Sequence, residues 1–84
     1  MAQLIDTNGD VHQVEGPVSL EQAQSLVGGY VERVPAPLEV GQQMLVNEEG
    51  LMHGLPFNMV ASLMTKMNIV GNALIVETGE GWDD

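Results

Sequence analysis

Eighty-four residues carry twelve Asp and Glu against two bases, Arg33 and Lys66, for a formal net charge of −10. So negative a chain repels phosphate backbones and anionic lipid, which removes direct nucleic-acid and membrane binding from the expected functions and leaves basic protein surfaces as favoured partners. No cysteine is present, so disulfides, thiolate nucleophiles and thiolate metal sites are excluded together.

The apolar fraction of 44% argues against disorder. A chain of this length buries only about 60% of its unfolded surface, so one domain over 1–84 with a thin core is expected, and dimerisation would add to it. No apolar run approaches the ~20 residues of a bilayer span. No basic segment precedes an apolar one at the N-terminus, so a cytoplasmic location is expected. The acids are scattered singly, with pairs only at Glu48-Glu49 and Asp83-Asp84. That distribution also fits plain solubility.

Residues 3–15 read as a β-hairpin around Asn8-Gly9, both of which tolerate positive φ. A two-residue loop pairs Leu4 with Gln13. A three-residue loop that includes Asp10 pairs Leu4 with Val14 and Thr7 with Val11, and is favoured because like faces like. Gly16-Pro17 breaks the strand. Ser19 with Gln22 forms a capping-box pattern opening a helix whose Leu20, Ala23 and Val27 share a face, and Gly28-Gly29 ends it.

Tyr30 to Val34 is a strand stopped by Pro35-Ala36-Pro37, and Gln42 to Asn47 is its hairpin partner, with Met44 and Val46 on one face and Leu45 on the other. Asn47-Glu48-Glu49-Gly50 is a turn, followed by an irregular stretch to Pro56. Asn58 caps a helix over 59–67, where Val60, Leu63, Met64 and Met67 fall at i, i+3, i+4 and i+7 and predict the buried stripe. Met52 and Met59 flank the irregular stretch and are expected to be exposed. Ile69 to Glu77 is the last strand, bent at Gly71-Asn72. Its run Ala73-Leu74-Ile75-Val76 suits a central position covered on both faces. Residues 78–84 form an acidic tail containing Trp82. The order β-β-α-β-β-α-β predicts a two-layer α+β domain, with a mixed, mostly antiparallel sheet and both helices on one face.

Four motifs follow one another in order. They are Val27-Gly28-Gly29-Tyr30-Val31-Glu32, Val46-Asn47-Glu48-Glu49-Gly50, Gly54-Leu55-Pro56-Phe57-Asn58 with Ala61, and Ile69-Val70-Gly71-Asn72. Together, over residues 4–77, they resemble a domain of unknown function common in bacteriophages and mobile elements. The resemblance implies a phage or plasmid accessory protein made in a bacterial cytoplasm, and it brings no catalytic residues. Met59 stands where related sequences often have proline.

Residues with chemical potential form no catalytic constellation. Asp6, Asn8 and Asp10 have the alternate spacing of calcium ligands, but Val11 stands where the loop needs glycine and Pro17 where it needs glutamate. His12 and His53 lie far apart and share no helical ligand spacing, so no metal and no cofactor is expected. Ser19 is a cap, and Ser25 and Ser62 have no base nearby in sequence. The expected binding surface is an acidic turn and its neighbours: Tyr30, Glu32, Arg33, Asn47, Glu48, Glu49, His53 and Asn58. Paired carboxylates beside an asparagine suit a partner's arginines or ribose hydroxyls.

The expected function is therefore a non-enzymatic accessory protein that binds and blocks a host protein through a basic surface, plausibly one of antiviral defence. The alternative is a small-ligand binder that sequesters a nucleotide signal, with Arg33 or Lys66 meeting the phosphate.

Overall fold

A strand with no polar position must be covered on both sides, and Ala73-Leu74-Ile75-Val76 meets that demand at the centre of the sheet. The computed structural model describes residues 2–35 and 41–77. Its strands are β1 (Ala2–Ile5), β2 (Val11–Val14), β3 (Val31–Val34), β4 (Gln42–Asn47) and β5 (Ala73–Glu77). They lie in the order β2-β1-β5-β4-β3. Helix α1 (Leu20–Val27) follows the first hairpin and α2 (Met59–Thr65) the second. The fold is α+β, with the element order read from the sequence.

Two features of the architecture differ from expectation. Among the described residues every strand pairing is antiparallel, without the parallel character of a mixed sheet. The helices also sit on opposite faces. Alternation along the strands sends Ile5, Met44, Val46, Ala73 and Ile75 to the side of Ala61 in α2. It sends Leu45, Leu74 and Val76 to the side of Ala23 and Val27 in α1. Both faces of β4 and β5 are apolar, so each needs its own cover, and one short helix serves each.

The first hairpin adopts a register that the sequence pattern did not favour. Ile5 faces Val11, Leu4 faces His12 and Ala2 faces Val14. The loop has three residues, but they are Thr7, Asn8 and Gly9. Asp6 N donates to Asp10 O at 3.0 Å, Gly9 N donates to Asp6 O at 3.1 Å, and Gly9 takes φ +91°. This is a turn followed by a left-handed residue, which closes three-residue hairpins. The Asp6 side chain selects it: Oδ1 accepts from Asn8 N at 2.9 Å and Asp10 N at 3.0 Å, and Oδ2 accepts from His12 Nε2 at 2.8 Å. The acidic cluster at 6–10 is thus spent on the turn itself.

Helix α1 starts and stops where its caps require. Ser19 Oγ accepts from Gln22 N at 3.1 Å, and Gly28 at φ +83° sends its N–H back to Gln24 O. Its buried positions are Ala23 and Val27, joined from outside the helix by Val18. Leu20 is exposed. It occupies the first turn, ahead of the part of the helix that meets the sheet.

Helix α2 is turned the other way round from its apolar pattern. Ala61, Ser62 and Thr65 are its buried residues, whereas Leu63, Met64 and Met67 are exposed and Val60 only partly covered. At 100° per residue, positions 60, 63 and 64 lie opposite 61, 62 and 65, and Met67 falls beyond the helix end. Hydrogen bonds explain the inversion. Asn58 is fully buried, and its Nδ2 donates to Ile5 O at 3.0 Å and Gly71 O at 2.9 Å while its Oδ1 accepts from Ala61 N at 3.0 Å. Ser62 Oγ accepts from Ile69 N at 2.8 Å, and Thr65 Oγ1 donates to Ala61 O at 2.9 Å. The Thr65 bond lies within the helix, whereas Asn58 and Ser62 tie this face to the neighbouring backbone. The helix ends at Lys66, which takes the left-handed conformation at φ 59°.

The final strand is shorter than expected because Gly71, at φ +76°, breaks it. Ahead of the break, Val70 forms an isolated bridge with Phe57. The segment 36–37 of the proline-containing loop, and the acidic tail with Trp82, fall outside the described residues.

Two predictions follow from these bonds. Asn58→Ala removes an N-cap and strands two buried carbonyls, a loss of roughly 3 kcal/mol or more. That is a large share of the ~5 kcal/mol available to a small domain, so urea unfolding of the variant should start near zero denaturant. A midpoint close to that of the parent would contradict the assigned network.

The second concerns Asp6. The hydrogen bond from His12, helped by the Asp10 and Asn8 amides and opposed by partial burial, holds its carboxyl below the ordinary carboxylate range. A folded-state pKa below the unfolded one means the stabilisation is complete above the ordinary range and is lost as pH falls through the depressed value. In NMR titrations, the Asn8 and Asp10 amide shifts should move together with a midpoint below that of an unperturbed aspartate. The transition should be absent in Asp6→Asn.

Candidate functional site

The glycine and asparagine motifs meet at the ends of the helices. Asn47 Nδ2 donates to Val27 O at 3.3 Å, and Asn72 Nδ2 donates to Leu26 O at 3.1 Å. Two side chains from distant strand ends thereby satisfy carbonyls that the last turn of α1 leaves open. Gly29 makes room for this, since a Cβ there would stand 2.9 Å from Asn47 Nδ2. Leu55 wedges beside two further glycines: a Cβ at Gly71 would lie 2.7 Å from its Cδ1, and one at Gly50 would lie 3.6 Å from it. Backbone bonds from Leu55 N to Gly50 O at 3.0 Å and from Gly71 N to Pro56 O at 2.7 Å lock the wedge. The motif positions are therefore scaffold.

That scaffold shapes a groove of ≈ 540 Å³ on the α2 face of the sheet, beside the edge strand β3. Its floor is apolar, formed by the buried Val34, Val46 and Ile69. Its rim combines the exposed carboxylates of Glu32, Glu48 and Glu49 with the exposed side chains of Leu51, Met52 and Met67. The backbone aims the two glutamates outward. Asn47 Oδ1 accepts from Glu49 N at 2.8 Å, Glu48 N donates to Tyr30 O at 2.8 Å, and Gly50 N closes the turn onto Asn47 O.

The structure divides the eight expected surface residues. Glu32, Arg33, Asn47, Glu48 and Glu49 border the groove. Asn47 is nonetheless buried, with both its amide atoms engaged inside the fold. Asn58 is not a surface residue at all: it is 0% exposed with its amide consumed by three bonds, so it is a structural cap. Tyr30 is well exposed and touches the site through its backbone carbonyl. His53 lies on the turn after the acidic pair, half exposed, with Nε2 3.7 Å from Glu49 Oε1.

Sequence reading missed the floor residues and the thioether side of the rim. Val34 and Val46 look like ordinary core alternation, and Met67 looks like part of a buried stripe. One signal was available: Asn58, Ala61, Ser62 and Thr65 already describe a second helix face, made of small hydrogen-bonding residues. Met52 and Met59 are exposed as expected, whereas Met64 and Met67, expected in the core, are not.

Chemically the groove offers apolar area and negative charge. Among the described residues, no group of three or more His, Asp or Glu is placed to hold a metal ion, and no helix is long and apolar enough to cross a membrane. His12 pairs with Asp6 on the first hairpin, on a different loop from His53.

The sequence matches the DUF3846 family, described as a domain of unknown function, over residues 2–84, and the chain belongs to that family. No curated protein and no solved structure matches the chain.

The outward turn of α2 is directly testable. Leu63→Glu should change unfolding free energy by no more than about 0.5 kcal/mol, as expected of an exposed position. Burial of the same charge in a core stripe would unfold a domain this small. Urea titration of the two chains separates the alternatives.

Proposed function

We propose that this protein is a non-catalytic binding module that takes a basic protein partner at the acidic, apolar-floored groove between β3, the 47–52 turn and the segment after α2. The observation that carries this reading is the pairing of Val34, Val46 and Ile69 beneath Glu32, Glu48 and Glu49. An apolar side chain of the partner would be desolvated on the floor while neighbouring Arg or Lys groups meet the carboxylates. Arginine suits such a rim through charge-assisted, bidentate bonds. The net charge of −10 supplies long-range attraction toward the same partner.

A phage or mobile-element setting, a bacterial cytoplasm and a host target whose activity is blocked belong to this reading and rest on the motif resemblance. The volume also falls within the range of small-molecule pockets. A nucleotide is less well served, because the groove sets three carboxylates and an apolar floor against the single Arg33 that a phosphate would meet.

Charge-neutral substitution tests the proposal. The triple variant Glu32→Gln, Glu48→Gln, Glu49→Gln keeps the turn bonds, which run through the backbone and Asn47, so its stability should stay within about 0.5 kcal/mol of the parent. Affinity-tagged parent protein should recover a basic partner from host lysate, with recovery falling as salt rises, and the triple variant should lose it. Equal recovery by parent and variant would overturn the groove assignment. A thermal shift with a nucleotide, abolished by the same variant, would favour the small-ligand alternative.

A further inference from the structure

The outward face of α2 carries its own signal, on residues outside the groove lining. Phe57, Met59 and Leu63 are more than half exposed, and Met64 is 40% exposed. Met67, beyond the left-handed Lys66, belongs to the groove border instead. Phe57, Met59, Leu63 and Met64 are the largest apolar side chains of the α2 segment, while its buried face is held by hydrogen bonds from Asn58, Ser62 and Thr65. The exposure is therefore built into how the helix is anchored. Soluble monomers rarely expose a contiguous apolar patch beyond a few hundred Å².

Charge selects the occupant. None of the twelve acids lies between residues 50 and 76, where Lys66 is the one lysine or arginine. At a net charge of −10, two copies of this chain repel one another across any surface that brings their carboxylates together. The outward face of α2 contributes no carboxylate of its own, so a contact centred on it brings the fewest together. A basic partner, by contrast, is drawn to surface that carries carboxylates, such as the groove rim. We propose that the outward face of α2, centred on Leu63 and Met59, is a two-fold self-association surface on which a second copy of this chain packs its own α2.

A two-fold contact places the same residues on both sides, so an apolar stripe is self-complementary by construction. Methionine suits it, because unbranched thioethers repack against one another without demanding a single fit. Stable interfaces take about 800 Å² from each partner, so the contact also has to enlist Phe57, which is exposed just ahead of the helix.

Salt distinguishes this contact from partner binding at the groove. Screening removes the repulsion between like-charged copies, so self-association strengthens as salt rises, whereas capture of a basic partner weakens. Sedimentation velocity on the full chain, from low micromolar to near-millimolar concentration at low and high sodium chloride, should show a monomer–dimer equilibrium shifted toward dimer by salt. Leu63→Glu and Met59→Glu lie outside the groove lining, and each should weaken the dimer by about tenfold or more with unchanged circular dichroism. A sedimenting monomer under all conditions would overturn the proposal and leave the face to a different protein. So would a dimer that both variants preserve, or one that salt dissociates. The groove reading would survive any of these results, because its test uses different residues.

Discussion

The fold depends on one buried amide. Asn58 reaches β1 through Ile5 O, the approach to β5 through Gly71 O, and the first turn of α2 through Ala61 N. No apolar side chain could replace it, since three backbone groups would then be buried without partners. Asn47 and Asn72 do the same at the end of α1. Three asparagines thus attach two short helices to opposite faces of a five-stranded sheet. In a chain too small for a thick core, directional bonds replace part of the apolar burial that a larger domain would use.

This choice frees apolar surface. Ala61, Ser62 and Thr65 take the buried face of the helix, which leaves its long apolar residues with no interior to occupy. Leu63, Met64 and Met59 face water as a consequence. The Met67–Val70 segment after the helix forms one border of the groove over Val34 and Val46. Scaffold and recognition surface are made by the same few bonds, so a change at Asn58 would disturb both.

Electrostatics then sorts the surface into two kinds. Around the 47–50 turn and β3, carboxylates stand beside an apolar floor, an arrangement that attracts cations and shelters a hydrophobic contact. The α2 segment itself exposes apolar side chains and contributes no acid. A uniformly acidic protein would resist every acidic neighbour, including itself. Confining the acids to other regions leaves one face on which like can meet like.

Much of the fold was legible in the residues because local chemistry controls it. Ser19 and Gly28 bracket α1, Asn58 starts α2, Gly71 interrupts the last strand, and the unbroken run 73–76 belongs at the sheet centre. Each depends on a backbone conformation or a nearby donor that only certain side chains accommodate. The hairpin register depended on bonds that Asp6 makes across the turn, and apolar matching pointed to a pairing two residues away. The rotation of α2, the placement of helices on opposite faces and the groove were settled by contacts between segments far apart in sequence. Periodicity reveals that a helix has two faces, but which face turns inward follows from whether burying methionine outweighs leaving the backbone at Ile5, Ile69 and Gly71 unpaired. Here the hydrogen bonds win, because an unpaired buried carbonyl or amide costs as much as an exposed side chain would gain.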